Sequence, residues 1–398
     1  MSGFLRFAVM SGLLIASPAT RASGETRARE ARPEGEAGVP DAVFANDAVP
    51  NRLCLGNGAG GFTACSEVSA DLHDSFGVAL GLVNGDAHLD AVFANFGQVN
   101  RVCFGDGEGG FSSCADVSPA REDTLGVALG FVDDDGNLDA VFANLDTPNR
   151  VCLGNGLGGF SCSNVSADME SSLGVALGQL GPDANLDAVF ANIGGVNRVC
   201  LGDGQGGFSC SNVSGDANES RAVALGLADA DINLDAVFAN DKSTNRVCFG
   251  NGMGGFSSCG DVDPLDPDNT SFDIALGHVD GDAHLDAVFA NFGSFDQVCL
   301  GDGAGAFTCQ DVSADSLLSF GVDLGFLDDD ANLDAVVATF SHQNQVCLGD
   351  GMGGFTCSDV SADQENSVAV ALGDIGSTVI FTDGFESGDT SAWSTTVP

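Results

Sequence analysis

Bulky and very small side chains alternate along a short segment that recurs through the chain. Over residues 76–81, the bulky residues Phe, Val and Leu alternate with Gly and Ala. This period of two predicts a β-strand with one bulky face and one face of small residues, which suits a crowded axis. Further strands are predicted at residues 89–94, 101–104 and 111–117, between polar or Gly-rich turns. Each copy should therefore form four consecutive antiparallel strands.

The segment belongs to a repeat of about 49 residues. A small-residue strand ending in Gly and a Gly-rich phrase beginning with Cys each recur seven times. The phrase DAVFAN, altered once to DAVVAT, begins at Asp41, Asp90, Asp139, Asp187, Asp235, Asp286 and Asp334. Repeats of this length with four strands each are typical of β-propellers, in which every repeat forms one blade.

The two ends of the repeat array are complementary. The first copy lacks strand one, and a lone strand one ends the array at residues 367–374. Together these fragments complete one blade and leave no unpaired sheet. We predict an all-β, seven-bladed β-propeller of four-stranded antiparallel blades over residues 41–376, closed by N-terminal strands two to four and the C-terminal strand one. An open stack of the same repeats is the alternative.

The segments outside the array have other compositions. Residues 1–22 combine Arg6, an apolar run and small residues near Ala19, a pattern that predicts a secretory signal peptide. A short membrane anchor is the alternative, but the run is shorter than the ~20 residues that span a bilayer. Residues 23–40 predict a flexible leader, and 377–398 form a tail without repeats. We expect a protein secreted to the extracellular space, cell surface or periplasm, without a membrane span.

The charge balance narrows the range of partners. The chain has 57 Asp and Glu residues against 13 Lys and Arg residues, so it should repel nucleic acid and attract cations. Some arginines recur immediately before strand three, where we expect them to pair with carboxylates at the blade edge. These arginines are Arg52, Arg101, Arg150, Arg198 and Arg246.

Each repeat holds two cysteines on either side of its Gly-rich turn. An even count in an exported chain predicts disulfides, and strands three and four would bring each pair face to face. The predicted bridges are Cys54–Cys65, Cys103–Cys114, Cys152–Cys162, Cys200–Cys210, Cys248–Cys259, Cys299–Cys309 and Cys347–Cys357. Three pairs are one residue further apart than the others, which requires a β-bulge to keep both cysteines on one face. Metal thiolate clusters are the alternative.

Acidic turns between strands one and two carry the strongest chemical signal. Asp133, Asp135 and Asp139 follow the pattern D-x-D-G-x-x-D, in which alternate carboxylates converge on a hard cation such as Ca²⁺. The alternative is a solvated turn whose last Asp caps the strand. The candidate metal ligands are Asn84, Asp86, Asp90, Asp133, Asp135, Asp139, Asp183, Asp187, Asp229, Asp231, Asp235, Asp280, Asp282, Asp286, Asp328, Asp330 and Asp334.

The order of small-residue strand, acidic loop and short apolar strand resembles the FG-GAP or VCBS repeat of integrin-α-like β-propellers, from residue 41 to about 375. The resemblance implies Ca²⁺ in the loop between the first two strands of a blade. This chain departs from the family at the first ligand position, where the acid is replaced by Leu82, Phe131, Gln179, Leu227, His278 and Phe326. We therefore expect weak Ca²⁺ binding, with backbone carbonyls and water completing each site.

No nucleophile motif and no cluster of acids or bases breaks the repeat. We therefore expect that the protein is not an enzyme and binds no organic cofactor. The main hypothesis is a monomeric, non-catalytic binding, adhesion or structural module for a protein or glycan surface ligand. A carbohydrate-binding propeller is the alternative, because some propellers of related appearance bind sugars between blades, and a polysaccharide-acting enzyme is less favoured. Exposed Trp and Tyr are common in sugar sites, whereas this chain has no Tyr and one Trp, Trp393.

Overall fold

The computed structural model describes residues 38–263, 270–313 and 316–376. The predicted signal peptide, most of the leader and the C-terminal tail lie outside these residues. Within the described ranges, the regular secondary structure consists of β-strands, and no helix is long and apolar enough to cross a membrane.

The described residues form 28 strands, numbered in chain order, and they group into seven four-stranded units. The innermost strands are β4 (Ser75–Gly81), β8 (Glu122–Gly130), β12 (Ser172–Gly178), β16 (Ser220–Gly226), β20 (Ser271–Gly277), β24 (Ser319–Gly325) and β28 (Glu365–Gly373). The second strands are β1 (Asp41–Asn46), β5 (Asp90–Gln98), β9 (Asp139–Asn144), β13 (Asp187–Asn192), β17 (Asp235–Asn240), β21 (Asp286–Asn291) and β25 (Asp334–His342). The third strands are β2 (Arg52–Gly56), β6 (Arg101–Gly105), β10 (Arg150–Gly154), β14 (Arg198–Gly202), β18 (Arg246–Gly250), β22 (Gln297–Gly301) and β26 (Gln345–Gly349). The outer strands are β3 (Phe62–Glu67), β7 (Phe111–Asp116), β11 (Phe160–Asn164), β15 (Phe208–Asn212), β19 (Phe256–Asp261), β23 (Phe307–Asp311) and β27 (Phe355–Asp359).

Units 1 to 6 are consecutive antiparallel meanders, from β4–β7 to β24–β27. Unit 7 joins the two ends of the array in the order β28, β1, β2, β3, with Asp41 opposite Gly373 and Phe44 opposite Val370. The innermost strand of each unit contacts that of the next, and β28 contacts β4. The fold is therefore propeller-like, and the predicted pairing of the end fragments is present.

Close approach of the innermost strands explains their small residues. A Cβ atom added at Gly77 would lie 2.8 Å from the carbonyl oxygen of Leu125 in the next unit, and one at Gly126 would lie 2.7 Å from that of Leu173. The obstacle in both cases is backbone, which a rotamer change cannot move. The DAVFAN strands lie behind them and are buried at every position, with Phe142 and Phe190 each 0% exposed.

All seven predicted disulfides are present, and each lies within a single unit. The cysteines of a pair face each other across the third and fourth strands. The three longer loops carry register shifts at Leu55/Gly56, Phe104/Gly105 and Phe249/Gly250. These are the predicted bulges, which return the second cysteine to the face of the first. So many bridges indicate an oxidising environment.

Buried side-chain hydrogen bonds tie each unit to the next, and we call them the seam hydrogen bonds. Asn149 of unit 2 donates from Nδ2 to Ser172 Oγ of unit 3 at 2.8 Å, and Ser172 Oγ donates to Asn192 Oδ1 at 2.7 Å. The amide of Asn192 then donates to Asn197 Oδ1, which begins the link to unit 4. The same set joins the chain ends, because Ser367 donates to Asn46 at 2.8 Å.

The seam between units 5 and 6 departs from this pattern. Asp296 replaces the linking Asn, and Thr339 replaces the Asn that would accept from Ser319. Ser319 Oγ instead donates to Asp296 Oδ2 at 2.9 Å. Asp296 is 7% exposed, and burial raises its pKa to about 7. The two exceptions compensate for each other, because the Asp296 carboxylate supplies the acceptor that an Asn side chain supplies to the Ser at most other seams, while the Thr339 hydroxyl donates to the carbonyl of Gln343.

Restoring the common pattern should remove one pH-dependent contribution to stability. The folded pKa of Asp296 lies above its unfolded value, so its contribution is complete below about pH 4 and is lost as the pH rises through about 7. We expect Asp296→Asn/Thr339→Asn to be more stable than the wild type by about 1–3 kcal/mol near pH 8. Urea unfolding across this pH range measures the difference.

Thr339→Asn alone is the matched control, because it keeps the buried acid and should keep the wild-type pH dependence. The other buried acids are common to all three proteins, so the difference between their curves isolates Asp296. Identical pH dependence in the double variant and the wild type would contradict the assignment.

Candidate functional site

The strands run between two ends of the molecule, and these ends carry different charges. The acidic end carries the loops between first and second strands and the Gly-rich hairpins between third and fourth strands. The basic end carries the turns between second and third strands and the connections between units. Every Lys and Arg of the described ranges lies at the basic end. These residues are Arg52, Arg101, Arg121, Arg150, Arg198, Arg221, Lys242 and Arg246.

The predicted metal ligands lie in the acidic-end loops, and two of these loops bring three carboxylates together. Oxygen atoms of Asp133, Asp135 and Asp139 lie within 4.8 Å of one another. The second loop of this kind consists of Asp229, Asp231 and Asp235. Such convergence is what a hard cation requires, although two or three carboxylates supply only part of its coordination shell.

The last Asp of each loop has a clear structural role. Asp139 Oδ2 accepts hydrogen bonds from the amides of Val132 and Asp133, and Oδ1 accepts one from Gly154 at the end of the third strand. Burial raises the pKa of Asp139 to about 6 despite these donors. The same two-sided contact is made by Asp90, Asp187, Asp235, Asp286 and Asp334. The predicted capping role is therefore present, and in Asp139 the Oδ1 atom keeps a second lone pair that a metal ion could use.

The remaining candidate ligands are half-buried or exposed and serve the turn itself. Asp135 Oδ1 accepts from the amide of Asn137 at 2.7 Å, and this bond lowers the pKa of Asp135. Equivalent acceptors of amide hydrogen bonds two residues ahead are Asn84, Asp86, Asp133, Asp183, Asp229, Asp231, Asp280, Asp282, Asp328 and Asp330. At the first ligand position, Gln179 Nε2 donates to the loop carbonyl of Ala184 at 3.1 Å. That hydrogen bond connects the two sides of the loop, at a position where FG-GAP or VCBS repeats carry an acid.

Polar notches lie between units at the basic end. In the notch between units 2 and 3, Arg198 pairs with Asp168 at 2.8 Å and lies 3.8 Å from Glu170. The Cys200–Cys210 disulfide and Ser166 complete the lining. Arg198 Nε is buried and has no hydrogen-bond partner among the described residues. The same atom is unpaired in Arg101 and Arg246, so it is the combination of guanidinium, two carboxylates and a hydroxyl that suits a ligand rich in hydroxyl groups.

The notch between units 6 and 7 repeats this arrangement. Arg52 lies 3.1 Å from Asp363 and 3.3 Å from Glu365, beside Ser361 and the Cys54–Cys65 disulfide. Burial raises the pKa of Glu365, and the Arg52 charge opposes that shift. Both notches are lined by residues of two units, with the acids on the connection and the arginine on the following third strand.

The other notches are incomplete. Arg101 pairs with Asp71, Arg150 with Glu122 and Arg246 with Asp216, which confirms the predicted arginine–carboxylate pairing. These boundaries lack one of the two acids, because His73, Ala120 and Asn218 stand in their places. In units 5 and 6 the arginine itself is replaced, by Gln297 and Gln345.

The acids of the notches were not predicted from the sequence. Their signal is a recurring phrase, Val-Ser-Ala-Asp-x-Glu, in the connections at residues 165–170 and 360–365. Asp273 and Asp323 were not predicted either, although they stand on innermost strands that otherwise carry small residues at these positions.

Comparison with known proteins identifies the fold. A scan against protein-family models and a search of curated proteins found no match. An Agrocybe aegerita lectin, described as specifically recognising non-reducing terminal N-acetylglucosamine, is similar with a TM-score of 0.62 and 17% identity, over 85% of this chain and 96% of its own. The BP39L lectin from Burkholderia pseudomallei is similar with a TM-score of 0.59 and 15% identity, over 83% and 94%. At these identities the likeness establishes a shared propeller-like fold.

Two substitutions in one loop should separate the structural carboxylate from the exposed one. Asp139→Ala leaves three backbone N–H groups without their acceptor, so we expect it to lower the free energy of unfolding by roughly 2–4 kcal/mol, with Ca²⁺ or with a chelator. Asp135→Ala should leave unfolding in chelator nearly unchanged, and any stabilisation by Ca²⁺ in this loop should decrease. Denaturant unfolding in both conditions measures these effects. Equal losses for the two variants in chelator would contradict the division of roles.

Proposed function

We propose that this chain is a carbohydrate-binding module built on a closed seven-bladed propeller, with its sugar sites in the two complete notches. The observation that carries the proposal is the recurrence of one full set of polar groups at two boundaries. Arg198, Asp168 and Glu170 form one set, and Arg52 and its acids Asp363 and Glu365 form the other. Similarity in fold to two lectins supports the same conclusion.

The chemistry of a notch matches a sugar better than a peptide or a charged polymer. Guanidinium N–H groups and carboxylate oxygens can together satisfy neighbouring hydroxyls, each of which both donates and accepts. The adjacent disulfide offers an apolar surface for the C–H face of a sugar ring. The net charge of −44 disfavours anionic glycans, so neutral sugars are the expected class.

The same geometry argues for binding without catalysis. Acid–base hydrolysis of a glycoside needs one carboxyl group that stays protonated and a second that acts separately. In each notch both carboxylates lie within 3.8 Å of one and the same guanidinium group, so neither stands apart as a separate catalytic group. We therefore infer a binder rather than a glycosidase.

Weak Ca²⁺ binding in the acidic loops is a second proposed property, as the FG-GAP or VCBS resemblance implies. It is supported by the two loops in which three carboxylates converge within 4.8 Å. The seven disulfides support export to an oxidising compartment, where abundant Ca²⁺ makes weak sites useful. An adhesion role at a cell surface would combine both properties.

Glutamine variants test the sugar sites, because units 5 and 6 already carry Gln at the arginine position. A glycan array with the oxidised protein should identify neutral ligands, with N-acetylglucosamine as the first soluble probe. We expect Arg52→Gln/Arg198→Gln to weaken glycan binding at least ~10-fold, since each lost charged hydrogen bond is worth about 1.5–3 kcal/mol. Titration calorimetry gives the affinity.

Arg246→Gln is the matched control, because Arg246 lies in an incomplete notch and its loss should leave the affinity unchanged. Unaltered glycan binding in the double variant, or no binding to any glycan on the array, would refute the proposed sites.

A further inference from the structure

Two buried acids break the symmetry of the innermost strands. Each innermost strand contains a seven-residue phrase that begins with Ser or Thr, as in Ser75–Gly81. The third and fifth residues of this phrase face the seam with the next unit. Twelve of these fourteen positions hold Gly or Ala, and the exceptions are Asp273 on β20 and Asp323 on β24. The other twelve are Gly77, Ala79, Gly126, Ala128, Gly174, Ala176, Ala222, Ala224, Ala275, Gly321, Ala369 and Ala371.

Both carboxylates reach across a seam to the innermost strand of the next unit. Asp273 Oδ2 accepts from the amide of Val322 at 3.0 Å, and Asp323 Oδ2 accepts from that of Leu372 at 2.8 Å. Val322 directly precedes Asp323 in the chain, so the Asp273 carboxylate is bonded to the backbone next to Asp323. Asp273 is 1% exposed, and its Oδ1 has no hydrogen-bond partner among the described residues.

Neither carboxyl group forms an ion pair in the part of the chain that is described. Burial raises the pKa of Asp273 well above its usual value, and the Asp323 charge raises it further. The nearest basic side chain along the innermost strands is Arg221, which pairs with Asp241 and lies 4.2 Å from the ring of Phe272. A buried carboxyl group of this kind either stays protonated or ionises when a cation occupies the space beside its oxygens.

The propeller axis is more tightly packed at the basic end than at the acidic end. The second residues of the innermost-strand phrases are buried and pack together at the basic end, as Phe272 and Phe320 do with ring centroids 5.0 Å apart. Towards the acidic end the innermost strands are slightly less buried, since Ala176 and Ala371 retain 6% and 8% exposure and Asp323 is half-buried. The surrounding acidic loops attract cations to this end.

We propose that Asp273 and Asp323 form the floor of an axial site for a hard divalent cation, with Ca²⁺ as the first candidate. One divalent ion balances the two carboxylates, and the unused Asp273 Oδ1 supplies a ligand. Carbonyl oxygens along the unpaired edges of the innermost strands, together with water, can complete the shell of about six to eight oxygens. The site is separate from the loops and the notches, so it does not depend on the proposed sugar binding.

Replacing both acids by the residues of equivalent positions tests the proposal. Asp273→Gly/Asp323→Ala is expected to bind one Ca²⁺ fewer per chain by native mass spectrometry of the metal-loaded protein. We also expect it to lose about 3–6 °C of the rise in Tm that Ca²⁺ at a hundredfold excess over Kd gives the wild type. The same number of bound ions and the same rise in Tm would overturn the proposal.

Two further variants keep the test decisive. Asp323→Asn preserves the shape of the side chain, and it should weaken binding of one Ca²⁺ at least tenfold; an unchanged titration would count against the site even if the double variant failed to fold. Asp133→Asn/Asp135→Asn removes loop carboxylates only. It should keep the axial ion, and loss of that ion in this variant would mean that the signal comes from the loops.

Discussion

The seam hydrogen bonds are the interaction on which the rest of the structure depends. Asn46 and Asn192 are each 0% exposed, and a buried amide without a partner costs roughly 1–3 kcal/mol. Each unit obtains part of its hydrogen bonding from a neighbour, so no unit is satisfied alone. The bond from Ser367 to Asn46 makes the chain ends obey the same rule. Disulfides cannot replace this contribution, because every one of them lies within a single unit.

Features that follow from the repeat were predictable from the sequence. The period, the alternation of bulky and small residues and the complementary ends specify four-stranded units and the sheet shared by the termini. The spacing of Cys103 and Cys114 required a bulge, and the register shift at Phe104/Gly105 supplies it. Predicted strand bounds differ from the observed ones by a few residues, as where β5 continues to Gln98 beyond its DAVFAN segment. There the chain pairs briefly with β8 of the next unit.

What the sequence could not settle depends on contacts between distant residues. Asp139 could have been a cap or a ligand, since both roles need a carboxylate, and only the geometry shows that it joins a loop to the end of a third strand. The notches combine an arginine with distant acids, which lie 30 residues before Arg198 but 311 residues after Arg52. Asp273 and Asp323 are 50 residues apart, so a search for acids clustered in sequence does not pair them.

In a symmetric scaffold, departures from the repeat are the most informative positions. Asp296 and Thr339 depart together and restore each other's hydrogen bonding, so their exception is structural. Asp273 also departs, but no described side chain pairs with its free oxygen, so its exception points to a ligand. The distribution of charged side chains also distinguishes the two ends of the molecule. Because every described Lys and Arg lies at the basic end, the opposite end should attract cations, whereas the notches hold paired charges of both signs.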